Sequence, residues 1–153
     1  MKKIKTILAA AALLLATSSF AAGGDNISTK VKAAFLTNFG KAEQVSWTEK
    51  SDFYFAHFTL NGVASEAAYS NDGELLGTSR KIEASQLPLA LTLEIAKRYS
   101  GYEVSAEVTE MNFEGSTRYY ITVQNNTQVV ELKGTANGDL NVERKSKRII
   151  VES

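Results

Sequence analysis

Turn signals divide this chain at intervals that suit short strands and little else, and the same spacing occurs twice. Asn61-Gly62 and Asn71-Asp72-Gly73 bracket "VASEAAYS"; Asn125-Asn126 and Asn137-Gly138 bracket a stretch that opens "QVVELKG". Asn-Gly accepts the positive φ of a tight hairpin, because glycine has no Cβ and asparagine tolerates the left-handed region. Between the turns lie "AEQVSWTE" (42–49), "FYFAHFTL" (53–60), "VASEAAYS" (63–70) and "ELLGTSRKI" (74–82). Each is short, and rich in aromatic or alternating side chains, which predicts antiparallel strands. A second series follows in "YEVSAEVTEMNF" (102–113), "RYYITVQ" (118–124), "QVVELKG" (128–134) and "DLNVERKS" (139–146).

Two helices precede the two series. In "TKVKAAFLTNF" (29–39), Val31, Ala34, Phe35 and Phe39 recur at helical spacing, with Ser28 as N-cap and Gly40 as stop. "SQLPLALTLEIAKRYSG" (85–101) predicts another helix, capped by Ser85, with Pro88 in its first turn. A shift of 65 places Tyr54 on Tyr119, Phe58 on Val123, Glu66 on Glu131, Gly73 on Gly138 and Leu75 on Leu140. A shift of 60 aligns the helices, Phe35 on Ile95 and Phe39 on Tyr99, so the second copy has five more residues, assigned to its first hairpin. The expected fold is α+β: two tandem repeats, each one helix followed by a four-stranded antiparallel sheet. The division is 22–84 and 85–153, together one compact domain.

Residues 1–21 read as a secretory signal peptide. Lys2, Lys3 and Lys5 precede the apolar run Ile7–Ala16, and Ser19-Phe20-Ala21 supplies small residues for cleavage. That apolar run is too short to span a bilayer, and no stable membrane insertion is expected after cleavage. Removing those 21 residues leaves 132, with 14 basic and 17 acidic side chains. That balance lacks the clustered basic surface of a nucleic-acid binder. The chain has no cysteine, which excludes disulfides and thiolate chemistry. A periplasmic or secreted location is expected.

Each helix must cover one sheet face. Tyr119, Ile121 and Val123 form the more apolar alternate of their strand, and through the repeat both they and the matched Tyr54, Ala56 and Phe58 are assigned to the core. The outer alternate then presents Phe53, Phe55 and His57, and Tyr120 and Thr122. Exposed aromatic clusters mark interaction surfaces, so these five residues are the candidate partner-binding site, for an envelope protein or a peptide. A one-residue slip would exchange the faces. A small-molecule or lipid-binding pocket between helix and sheet, near Trp47 and Tyr99, is the alternative.

Catalytic signals are missing. His57 is the only histidine, and no G-x-S-x-G accompanies it. One histidine and no cysteine do not suit zinc, and Asp72-Gly73-Glu74 lacks the calcium-loop pattern. Glu103, Glu107, Glu110 and Glu114 read as a solvated hairpin face rather than a carboxylate pair. The basic run "ERKSKR" (143–148) reads as charge guarding an edge strand. No enzyme activity, metal or cofactor is expected.

The ordered set "VKAAFLTNFGKAEQVSW", "FYFAHFTLNG", "YSNDGELLGTSRKI" and "LPLALTLEIAKRYSGYEV" resembles the periplasmic PepSY-like family of Bacteroidetes-type bacteria, described as beta-lactamase-inhibitor-protein-like. The resemblance covers roughly residues 29–147. It implies a secreted, non-enzymatic protein of two α/β repeats; in the named inhibitor, such repeats form a concave sheet that grips an enzyme. It brings no catalytic residues. Trp47, Tyr69, Gly73, Leu87, Pro88, Tyr99 and Tyr102 are the aligned positions, most of them structural in character.

Overall fold

The computed structural model describes residues 26–149. The signal-peptide assignment, 1–21, lies outside them. The described chain is α+β: helices α1 (Thr29–Asn38) and α2 (Leu89–Arg98), a 3₁₀ turn at Ala84–Gln86, and nine antiparallel strands. The strands are β1 (Glu43–Lys50), β2 (Phe53–Leu60), β3 (Val63–Ser70), β4 (Leu75–Glu83), β5 (Glu103–Val104), β6 (Glu107–Phe113), β7 (Ser116–Gln124), β8 (Gln128–Thr135) and β9 (Leu140–Lys147). Their hydrogen-bonded order is β1-β2-β3-β4-β6-β7-β8-β9, with β5 on β7. The expected single strand over 102–113 is broken: Ser105 N donates to Thr122 O, and Ala84 N donates to Ala106 O. That break separates β5 from β6.

The chain divides into two compact units. The first holds residues 26–80 and the hairpin tip Asn112–Gly115; the second holds Lys81–Met111 and 116–149.

In the first unit, Ser28 accepts a hydrogen bond from Val31 N at 3.3 Å, the expected N-cap. Val31 and Phe35 are the buried residues of α1. β2 and β3 pair from Phe53↔Ser70 to Leu60↔Val63 around Asn61-Gly62, both at positive φ. Trp47, Ala56, Phe58, Ala67 and Tyr69 then face α1 and complete its core. Phe35 lies at the centre, with ring centroids of Phe58, Trp47, Phe39 and Tyr69 at 5.1, 5.3, 5.5 and 6.5 Å.

In the second unit the cap differs from expectation. Ser85 lies in the 3₁₀ turn, and its hydroxyl donates to Glu83. Pro88 is the N-cap of α2, and its carbonyl accepts from Thr92 N at 3.0 Å. Proline's fixed φ and missing N–H suit a helix entrance. Leu91 and Ile95 pack on Val108, Ile121, Val123, Val130, Leu132 and Leu140. Gly134 lies on the same face: a Cβ there would stand 2.5 Å from Leu91 Cδ1. Glycine is therefore what admits the leucine.

Candidate functional site

The first unit carries a second, smaller apolar cluster on the face of β2 and β3 turned away from α1. Phe55 and Ala68, cross-strand partners, are buried there, with Phe53, Leu76 and Phe113 half-buried around them. Phe113 reaches the cluster from the hairpin tip, where Glu114 and Gly115 both adopt positive φ. Beside it runs a cavity of about 570 Å³ lined by Glu74–Thr78 and Asn112–Gly115.

Next to Phe55 on the same face, three polar side chains from adjacent strands meet. His57 Nδ1 lies 3.0 Å from Glu66 Oε2, and its Nε2 lies 3.1 Å from Thr48 Oγ1. The Glu66 approach is an electrostatic contact rather than an aligned hydrogen bond. His57 and Glu66 are 8% and 4% exposed, and buried Ser79 is paired with Glu66 in register. Hydroxyl, imidazole and carboxylate follow the order of a hydrolytic triad. Here they are neighbours on three successive strands, arranged as a polar network across the ladder.

The expected exposure of this face therefore needs correcting at two positions. Phe55 and His57 lie on the predicted face, opposite Ala56 and Phe58, yet both are buried. Side-chain size explains it. Phe55 is ringed by three large apolar neighbours, and His57 is held between Thr48 and Glu66. Phe53 is half-buried, as expected of an accessible ring.

The second unit presents a different outer face. Tyr120 and Thr122 are half-buried on β7, paired with Lys133 and Glu131 of β8. Lys133 Nζ donates to Glu143 at 2.9 Å, and Arg144 donates to Glu131. Burial raises the Tyr120 hydroxyl above its usual pKa, opposed by Lys133, reinforced by Glu143 and opposed again by Arg118. This face is a lattice of salt bridges around one aromatic ring.

On the helix side of the second unit lies a cavity of about 500 Å³. Its walls come from the 3₁₀ turn, α2 and the segment leading into β5. Tyr99 is among them, as the alternative pocket reading expected, whereas Trp47 is packed in the first unit's core. The whole lining falls within residues 84–104, without Trp47. Sequence patterning missed Phe113 because nothing in the local pattern brings a hairpin tip onto a distant strand. Among the described residues no helix is long and apolar enough to cross a membrane, and no cluster of three or more metal-ligating side chains occurs.

No family model and no curated protein matches this chain. Solved structures do. A protein assigned to the periplasm of Bacteroides eggerthii superposes with a TM-score of 0.68 at 22% identity, covering 78% of this chain and 88% of that one. A DUF2874 family protein from Bacteroides ovatus gives 0.68 at 20% identity over 81% and 89%. A BLIP-like protein from Bacteroides fragilis gives 0.66 at 19% identity over 85% and 92%. At these identities the likeness establishes the fold. The sequence resemblance to a beta-lactamase-inhibitor-like family of Bacteroidetes thus has a structural counterpart.

Proposed function

We propose that this chain is a non-enzymatic periplasmic binding module, built from two tandem copies of a helix and four strands, which holds a protein or peptide partner on the sheet face away from the helices. The repeat reading is supported by matched backbone geometry. Gly73 N donates to Ser70 O at 3.0 Å, and 65 residues on, Gly138 N donates to Thr135 O at 3.1 Å. Gly73 has φ +83° and its Cβ position faces Lys30 O; Gly138 has φ +95° and faces Ala90 O, 60 residues beyond Lys30. The periplasmic reading is supported by the leader-like N-terminus and by the neighbour assigned to that compartment.

The observation that carries the binding reading is the apolar cluster of Phe53, Phe55, Ala68, Leu76 and Phe113 on the helix-free face of β2 and β3. Phe53, Leu76 and Phe113 are only half-buried there, so part of the cluster's apolar surface is open to a partner. In the first unit Phe53 supplies the accessible ring, with Phe55 and His57 behind it; in the second, Tyr120 and Thr122 are the candidate contacts. The beta-lactamase-inhibitor-like neighbour has a name that refers to enzyme inhibition, but fold alone transfers no target.

The test is affinity capture from an envelope fraction, with residues 22–153 as bait and a Phe53→Asp, Tyr120→Asp control. We expect one envelope protein to be retained by the bait and lost by the control, with the control's thermal unfolding nearly unchanged. Equal retention by both baits, or none by a folded wild-type bait, overturns the reading.

A further inference from the structure

The 500 Å³ cavity of the second unit has a lining that specifies a ligand. Leu87 and Ile95 are its most buried residues. Tyr99 and Tyr102 form an aromatic corner, with ring centroids 5.3 Å apart and planes at 89°. Ala84, Val104 and Ala96 complete the apolar wall. A concavity of this size and character suits a small organic molecule.

Two features narrow its chemistry. First, Ser85, Thr92, Ser100 and the two tyrosines are the only polar side chains of the lining, and none carries charge. An ionised ligand would lose hydration there and meet no counter-charge. Second, three of the five hydroxyl protons are already engaged. Ser85 donates to Glu83 at 3.1 Å, Thr92 to Pro88 O at 3.2 Å, and Tyr102 to Gln128 at 3.0 Å. Each of these oxygens retains acceptor capacity. The lining therefore offers acceptors to a ligand that brings a donor.

The helix positions sixty residues earlier carry different side chains, two of them exposed. Thr92, Ala96 and Tyr99, the last the C-cap of α2, lie sixty residues after Lys32, Leu36 and Phe39, the last the C-cap of α1. Two of the three are larger in α1, and Phe39 there packs against Phe58 at 4.8 Å between centroids.

We propose that this cavity binds a neutral lipophilic molecule, of fused-ring or comparable size, carrying one hydroxyl or N–H donor. The site is separate from the sheet-face partner site and stands or falls independently of it.

N-phenyl-1-naphthylamine is a suitable probe: neutral, aromatic, with one N–H and fluorescence that rises in apolar surroundings. Titrated into the wild-type chain, it should give saturable one-to-one binding. Ala96→Trp fills the cavity mouth from an exposed position and should weaken binding by about tenfold or more, with thermal unfolding unchanged. The N-methylated analogue, which lacks the donor, and anilinonaphthalene sulfonate, which is anionic, should both bind more weakly. Phe53→Asp should leave binding intact, which separates this site from the sheet face. Absence of saturable binding to the wild type overturns the proposal. So does undiminished binding by Ala96→Trp, and so does equal binding of the sulfonate.

Discussion

The two helix-bearing units solve one packing problem with different side chains. Around α1 the core is aromatic: Phe35 touches the rings of Phe39, Trp47, Phe58 and Tyr69. Around α2 it is aliphatic: Ile95 and Leu91 rest on Val108, Ile121, Val123 and Val130. Tyr69 and Gly134 occupy positions 65 residues apart. In the first unit the tyrosine fills the space beneath the helix, and Asn38 Nδ2 donates to its hydroxyl at 3.1 Å. In the second the glycine leaves that space to Leu91. Arg98, sixty residues after Asn38, reaches instead to the Leu140 carbonyl at 2.6 Å. Similar backbone thus tolerates opposite distributions of bulk, provided helix and strand change together. The second unit keeps an open cavity at the edge of α2, and the first carries its apolar surplus on its own sheet face away from α1.

The comparison breaks first at the helix centres. Phe35→Ala should cost about 3–5 kcal/mol and Ile95→Ala somewhat less, about 2–4 kcal/mol, because the aromatic nest loses more contacts. Denaturant titration of both variants measures this, and equal losses would mean that the cores differ only in composition. Gly134→Ala comes next. Its Cβ forces Leu91 to move, at about 1–3 kcal/mol. Combined with Leu91→Ala, the two effects should be strongly non-additive in a double-mutant cycle; additivity would show that Leu91 moves aside freely. Gly73→Ala and Gly138→Ala should each cost about 1–2 kcal/mol, since both positions have positive φ. Equal costs sharpen the repeat reading, and a large inequality argues against it.

The smallest effect concerns Tyr69. Tyr69→Phe removes the Asn38 hydrogen bond, worth about 0.5–1.5 kcal/mol. The Tyr69 hydroxyl also has a pH signature. Burial raises its pKa above the usual 10.0, with the Asn38 bond acting in the opposite direction. A raised folded-state value means the unfolded chain ionises first. The stabilising contribution is therefore complete below pH 10 and declines as pH climbs toward the folded-state value. Unfolding midpoints from pH 8 upward should fall less steeply in Tyr69→Phe than in the wild type; parallel curves would assign the alkaline loss to other groups.

How much of this was legible beforehand depends on the range of each interaction. β2 and β3 were readable to the residue, because Asn61-Gly62 fixes a register from which every cross-strand partner follows. The burial of Ile121 and Val123 followed from period-two patterning, and that of Ala56 and Phe58 from their match to the second copy. The entrance to α2 was misread, because Ser85 is a good capping residue in isolation while the 3₁₀ turn engages it with Glu83. The exposure of Phe55 and His57 was misread for a related reason. Alternation assigns a side chain to a face, but its burial depends on neighbours from other strands.

The sequence by itself therefore determined most of the elements and the turn geometry, and its repeat suggested which side of the central strands looks inward. The elements and turns rest on φ preferences and on hydrophobic alternation, both properties of residues a few positions apart. Only the tertiary structure decided that Phe113 closes over Phe55, that His57 lies between Thr48 and Glu66, and that α2 overhangs an uncharged cavity. Phe113 and Phe55 come from segments far apart in the chain, the polar trio from three successive strands and the cavity from residues 84–104; in each case the packing depends on volumes and directions that local periodicity does not encode.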